Sequence, residues 1–178
     1  TGFVGHHLSR KLLDDGHEVI LHASSPETTK IWRVKDLLNV CEVVYFDVRN
    51  RDGVIEIIDK YTPEIIYHLA NAGVYGGISV EEKDSIDINL FGGLNVAYAS
   101  KCIGAILINV GSSSEYGICY SPMMEGSTVP NPSLPYAISK LAVTNYVNMM
   151  FLNGYPCITL RIFSPYGPAD DICRLIPL

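Results

Sequence analysis

Several things are missing from this 178-residue sequence, and each absence closes a door. No uninterrupted apolar run approaches the roughly 20 residues a membrane-spanning helix needs. No basic run and no basic–aromatic stripe occurs, and the formal net charge is −6, so nucleic acid is excluded as a partner. An acidic chain of this kind can handle small anions only where positive groups converge on one site. The five cysteines (Cys41, Cys102, Cys119, Cys157, Cys173) are odd in number, scattered, and never spaced C-x-x-C. A disulfide framework and a cysteine metal site are thereby disfavoured, and a reducing cytoplasm suits the chain best. The only N-x-S match, Asn131-Pro-Ser133, is barred as a glycan acceptor by its proline. No charged-then-apolar targeting segment opens the sequence, although the initiator Met is absent too.

What is present is apolar and periodic. Apolar residues make up 48% of the chain, ample for one globular domain with a sizeable core. Segments 6–15, 53–61, 85–102 and 136–154 carry helical periodicity, with the Gly92-Gly93 pair weakening the third. Between them, segments 17–23, 43–48, 63–70, 105–111 and 156–164 read as short strands, several of them nearly continuous in apolar residues. Such strands separated by helices predict an α/β fold, a Rossmann-like doubly wound parallel sheet covered on both faces. Four strand ends run into small or polar residues: Ala23-Ser24-Ser25, Asp47, Ala70-Asn71-Ala72-Gly73 and Gly111-Ser112-Ser113-Ser114. In an open parallel sheet those carboxyl ends line the ligand crevice. The Pro-, Gly- and Ser-rich stretch from Tyr116 to Pro135 lies where a lid or binding loop belongs.

Three constellations carry chemistry. Gly2 and Gly5 are spaced like the last two glycines of a phosphate-binding turn and feed directly into a helix. A helix amino terminus presents free N–H groups to a pyrophosphate, and glycine lets the backbone approach it. The same pair would also serve a plain tight turn. Tyr136 and Lys140 stand four apart and share a helix face. An ammonium there stabilises a phenolate and draws the tyrosine below its ordinary pKa of ~10, equipping it as acid/base for alcohol–ketone interconversion. An exposed pair at this spacing would do nothing of the kind. The serines of "NVGSSSEYG" offer a hydroxyl at a strand end, or else a turn that caps its own backbone.

Taken in order, "TGFVGHHL", "FDVRN", "YHLANAGV", "GSSSEYG", "PYAISK" and "LRIFSPYGPADDICRLIP" resemble the motifs of the NAD(P)-dependent epimerase/dehydratase group of the extended short-chain dehydrogenase/reductase superfamily. The resemblance runs nearly end to end. It implies an enzyme acting on a nucleotide-activated sugar through a keto intermediate. Gly2 and Gly5 would cradle the pyrophosphate, with Phe3 and Val4 packing the turn. Asp47 and Val48 would meet the adenine, while Leu69, Ala70, Asn71 and Ala72 line the path to the nicotinamide. Asn89 would steady the active-site strands. Tyr136 would be the acid/base, and Lys140 would bind the nicotinamide ribose and lower the tyrosine pKa. The family motif often has one residue more between its hydroxyl and Tyr-Gly, so the alignment slips by one; Ser113 is favoured for orienting the sugar oxygen, with Ser112 next.

Three departures from the family pattern bear on specificity. "LHASSPE" places Ala23, Ser24 and Ser25 where NAD-preferring members carry an acid, and Lys30 or Arg33 could reach a 2′-phosphate; the cofactor is NADP or NAD with a slight lean to NADP. Ser164 replaces the usual asparagine of the segment before Tyr166. Glu115 follows the serines as an acid follows the catalytic threonine of sugar-nucleotide 4,6-dehydratases, but Ser114 stands where those enzymes place Asp, so Glu115 is read as structural and dehydration is disfavoured. Epimerase, 4-ketoreductase and 4,6-dehydratase remain open, as does a non-catalytic NAD(P)-sensing or scaffold relative. A homodimer is compatible with all of them.

Other residues are read more plainly. His6 and His7 are expected to face different directions and make a poor metal pair, so no metal is expected. His68 is read as a core histidine, and Trp32 as either a packing residue or an adenine contact. Residues 1–163 are expected to form the cofactor-binding domain and 164–178 to begin the substrate-binding part. The first glycine of the turn and a central first strand would precede Thr1. Residues 1–178 alone would then neither fold stably nor turn over substrate.

Overall fold

A computed structural model describes residues 1–26, 31–73 and 81–170 of the chain. Strands and helices alternate along it. Helix α1 (Phe3–Asp14) leads to β1 (Ile20–Ala23), the single turn α2 (Ile31–Val34), β2 (Glu42–Tyr45) and α3 (Arg51–Tyr61). Then come β3 (Ile65–His68), α4 (Glu82–Ile86), a π-helical stretch (Asp87–Gly92) and α5 (Gly93–Ile103). Strand β4 (Ile106–Ser112) passes into a 3₁₀ turn (Ser113–Tyr116), and α6 (Pro135–Leu152) and β5 (Cys157–Ile162) complete the order. Local chemistry explains several boundaries. The Asn50 side chain caps α3 by accepting the Gly53 N–H at 3.2 Å, and Pro135 opens α6 where its missing N–H costs nothing.

All strand pairs are parallel, as expected, but they form two sheets. β1 pairs with β2 from Ile20 opposite Glu42. In the other sheet, β3 pairs with β4 from Ile65 opposite Ile106, and β4 with β5 from Leu107 opposite Cys157. No ladder joins β1 to β3 among the described residues. The amino-terminal turn reaches toward both: the Thr1 ammonium donates to the His22 carbonyl at 3.4 Å, and Gly5 lies in ordinary contact range of the Leu69 side chain.

The larger core, including Val54, Val96, Leu107, Val143, Val147 and Met150, fills the space between β3–β4–β5 and helices α3, α5 and α6. Each fully buried aliphatic side chain of this kind contributes roughly 1.5–3 kcal/mol relative to exposure. A smaller cluster of Leu21, Val34, Leu37 and Cys41 serves the β1–β2 side.

The helix expected over 85–102 is not uniform. A Cβ at Gly92 would stand 2.6 Å from Val48 Cγ2, and one at Gly93 would stand 2.8 Å from Val143 Cγ2. The Gly-Gly pair is therefore needed for close approach, pressing this segment between the exit of β2 and α6. The chain widens into π geometry in the turn just before it, a feature that recurs at functional sites. The strands are also shorter than their apolar runs suggest, because Asp47 and Leu69–Ala72 lie beyond the ends of the ladders. The single turn α2 was not anticipated. The Tyr116–Pro135 loop is closed at its base by the Asn131 N–H on the Tyr116 carbonyl at 3.3 Å.

Candidate active site

The carboxyl ends of the strands gather most of the residues singled out in the sequence. Helix α1 begins with Gly2 in extended conformation and has no side-chain cap. Gly2 has open space where a Cβ would project, so the exposed turn and uncapped helix end fit an anionic pyrophosphate. Asn89, in the π-helical stretch, clamps the end of β3. Its Oδ1 accepts the Ala72 N–H at 2.9 Å, its Nδ2 donates to the Ala72 carbonyl at 2.6 Å, and Ser85 Oγ lies 3.2 Å from Nδ2. Ala72, and with it the Leu69–Ala72 segment, is thus tied to the helix that follows.

On the β2 side, Asp47 is gripped by Arg49, whose Nε and Nη2 donate to the carboxylate at 2.6–3.0 Å. That hydrogen bonding holds Asp47 below the usual carboxylate range. Val48 turns its side chain into the core beneath Gly92, so any ligand contact it makes is through its backbone.

The serine turn separates its three hydroxyls. Ser112 is a buried N-cap: its Oγ accepts the Ser114 N–H at 3.2 Å, while its own N–H donates to Glu115 Oε1 at 2.9 Å. Ser113 is half-buried, and its hydroxyl makes no hydrogen bond among the described residues. Ser114 is exposed. Helix α6 packs against this turn and against β4 and β5. It carries Tyr136, half-buried, in its first turn and Lys140, only 4% exposed, one turn later. Burial lowers Lys140 to about 8, opposed by the negative charge of Glu115. Below that value the buried ammonium is charged, the state that a phenolate on the same helix face requires. His68, at the end of β3, is fully buried, and burial with the nearby Lys140 charge lowers it to about 3, so it is neutral.

Glu115 has a partner that the sequence reading missed. Its side chain is 0% exposed and its Oε2 accepts from Arg161 Nε at 2.7 Å. Arg161 Nη1 donates to the Tyr116 hydroxyl at 3.2 Å. Two signals were available. Ser112-x-x-Glu115 has the spacing of a capping box, and an arginine inside an apolar strand needs a counter-charge.

Two expectations change on contact with the structure. The rings of His6 and His7, expected to diverge, lie with centroids 3.9 Å apart, His7 reaching the Pro168 carbonyl at 2.8 Å. Among the described residues, no group of three or more His, Cys, Asp or Glu could hold a metal ion. Arg33, offered as a 2′-phosphate partner, is buried; its Nε donates to the Ala169 carbonyl at 2.9 Å and its guanidinium covers the exposed Trp32 ring at 4.7 Å. Lys30 lies outside the described residues, as do Cys173 and the rest of 171–178. Because of the His7 and Arg33 contacts, residues 167–169 lie against α1 and α2, with Gly167 beside Phe3.

Comparison with known proteins gives one family for the whole chain. The model of the NAD dependent epimerase/dehydratase family matches residues 1–178. The UDP-glucose 4-epimerase of Mycolicibacterium smegmatis is 29% identical over 96% of this chain and 56% of its own length. Among solved structures, the UDP-glucose 4-epimerase of Thermotoga maritima with UDP-glucose is 25% identical, with a TM-score of 0.82 over 96% of this chain and 55% of that one. The UDP-glucose 4-epimerase of Thermus thermophilus, in complex with NAD, is 28% identical, with a TM-score of 0.79 over 96% and 55%. The chain spans about half the length of these relatives.

Proposed function

The chain belongs to the NAD dependent epimerase/dehydratase family, and from that premise we propose that the protein interconverts an alcohol and a ketone on a nucleotide-activated sugar. The observation that carries this reading is the buried Lys140 on the helix face of Tyr136, with the Ser113 hydroxyl, which makes no hydrogen bond among the described residues, on the turn that α6 packs against. The sugar nucleotide is supported by the UDP-glucose of the Thermotoga relative, so UDP-sugars come first among candidate substrates.

Gly2, Phe3, Val4 and Gly5 would hold the cofactor pyrophosphate at the amino end of α1, Asp47 and Val48 the adenine side, and Leu69–Ala72 the nicotinamide side. When bound, the nicotinamide supplies hydride acceptance and return. Ser113 holds the sugar oxygen. Tyr136 removes the hydroxyl proton as phenolate and returns it as phenol, and Lys140 keeps that phenolate accessible near neutral pH. Epimerisation needs the keto sugar to present its other face before reduction; a ketoreductase uses the reductive half alone. Dehydration is disfavoured because both Glu115 oxygens are already engaged, leaving that carboxylate no role as base.

The cofactor is NAD or NADP. The carboxylate-free end of β1 admits a 2′-phosphate, whereas the engagement of Arg33 removes one of its two offered cations; the NAD complex of the Thermus relative supports NAD. A cytoplasmic setting is supported by four free cysteines among the described residues, and no described helix is long and apolar enough to cross a membrane. A homodimer is supported by Ile138, Met149 and Leu152, exposed along α6.

The deciding experiment measures hydride transfer by the full-length protein with NAD or NADP and a panel of UDP-, GDP-, CDP- and dTDP-sugars, wild type beside Tyr136→Phe. Loss of acid/base help predicts a drop of about 10²–10⁴-fold in the variant. Equal rates would remove Tyr136 from the mechanism, and an NAD(P)-binding wild type without turnover on any sugar would favour a sensing relative.

A further inference from the structure

The Glu115–Arg161 pair lies outside the roles assigned above, yet it is built into the middle of the site. Arg161 stands opposite Gly111 in the β4–β5 register. A methyl at Gly111 would overlap Glu115 Oε1 and come within 2.9 Å of Thr159 Cγ2. The missing side chain thus leaves the pocket in which the carboxylate sits. From there Glu115 reaches two ways, accepting the Ser112 N–H with one oxygen and Arg161 with the other. Arg161 in turn ties the end of the same turn through the Tyr116 hydroxyl, its guanidinium 4.9 Å from that ring.

We infer that Glu115 and Arg161 are positioning residues: wedged into the space left by Gly111, they hold the serine turn so that the Ser113 hydroxyl faces the Tyr136 side of the crevice. The inference rests on the reading of Ser113 and Tyr136 given above. Ser113 is flanked on both sides by fixed backbone. The Ser112 N–H is held by Glu115, and the Ser114 N–H by the Ser112 hydroxyl. Burying a carboxylate and a guanidinium together seldom adds net stability over well-packed apolar side chains. What the pair supplies is one defined arrangement of three elements: β4, β5 and the turn between β4 and α6. Glu115 is also the charge that offsets the burial of Lys140, so the same carboxylate acts electrostatically on the other half of the site. His68, neutral, feels the charge of that lysine, Tyr136 precedes it by one turn of α6, and Arg161 is paired with Glu115.

The test uses the full-length protein with NAD and UDP-glucose as the probe pair. It compares wild type, Ser113→Ala, Glu115→Gln and the double variant for kcat, KM and NAD affinity. Glutamine offers one acceptor where two donors converge, so either the Ser112 N–H or Arg161 is left opposed by an NH₂. The expected result for Glu115→Gln is a kcat loss between about tenfold and a hundredfold, the scale of a displaced reacting group, with KM and NAD affinity little changed. Adding Ser113→Ala to it should cost nothing more, because both act through one hydroxyl. Unchanged kcat in Glu115→Gln, or a double-variant loss equal to the product of the single losses, would overturn the inference. If Glu115→Gln does not fold, Arg161→Lys, which keeps the charge without the fork, takes its place with the same two criteria. A Ser113→Ala variant as active as wild type would instead discard the site reading. Amide hydrogen exchange at Ser112 and Ser114 then decides the positioning claim alone: faster exchange in Glu115→Gln upholds it, and unchanged exchange sinks it.

Discussion

The two sheets of this protein are held by different kinds of chemistry. Around β1–β2, the Arg10 and Arg49 ion pairs are exposed: Arg10 forks onto Asp36 at 2.6–2.8 Å, and Arg49 onto Asp47, all with substantial solvent access. Around β3–β4–β5, the polar groups are buried. Lys140, His68, Asn89, Asn109, Glu115 and Ser139 all sit inside a packed core, and the Glu115–Arg161 pair crosses from the serine turn to β5. Solvated pairs tolerate rearrangement, because water replaces a lost partner at little cost. Buried ones do not, because the group left behind cannot be resolvated. On the proposed reading, the adenine end of the cofactor meets the adaptable side and the reacting sugar meets the rigid one.

That contrast can be broken most forcefully at Arg161. Replacing it by Ala strands Glu115 as an unpaired buried carboxylate, which should cost roughly 3–5 kcal/mol, read as a fall in the urea midpoint of the full-length protein. A loss under about 1 kcal/mol would mean that the two sides do not differ in kind.

Acid tests the same side more gently. His68 is held neutral, with its folded-state value near 3 against 6.5 in the open chain. Between those values the unfolded state binds the extra proton, so stability falls as pH drops through that window. From pH 7 to pH 5 the loss attributable to His68 is about 2 kcal/mol. In His68→Gln the pH 7 to pH 5 difference in unfolding free energy should shrink by that amount, and an identical slope in both proteins would contradict the assignment. On the other side, Arg10→Ala should change stability by no more than about 1 kcal/mol, with the effect fading in high salt. A salt-insensitive loss several times larger would erase the comparison from the opposite direction.

Much of this was legible beforehand, and the reasons differ from residue to residue. The Tyr136–Lys140 relation is local, one turn of helix, so spacing alone puts both on one face. Parallel pairing followed from apolar strands separated by helices, since such strands must be covered on both faces. The Gly92-Gly93 pair signalled an irregular helix, but only the approach of Val48 and Val143 explains why glycine stands there. Arg33 shows the reverse case. As a sequence feature it was a cation free to meet a phosphate, and in the fold it is spent on Ala169, 136 positions away.

The sequence by itself determined the alternation of elements, the chemistry-bearing motifs and their order along the chain, because periodicity and turn chemistry act over a few residues. Tertiary structure alone decided which serine hydroxyl is consumed as a cap, that Lys140 is buried, and that Glu115 finds Arg161 across 46 positions. It also decided that residues 167–169 lie against α1 and α2. Those outcomes depend on desolvation and on partners brought together by packing, and no local pattern records which distant group a buried charge will meet.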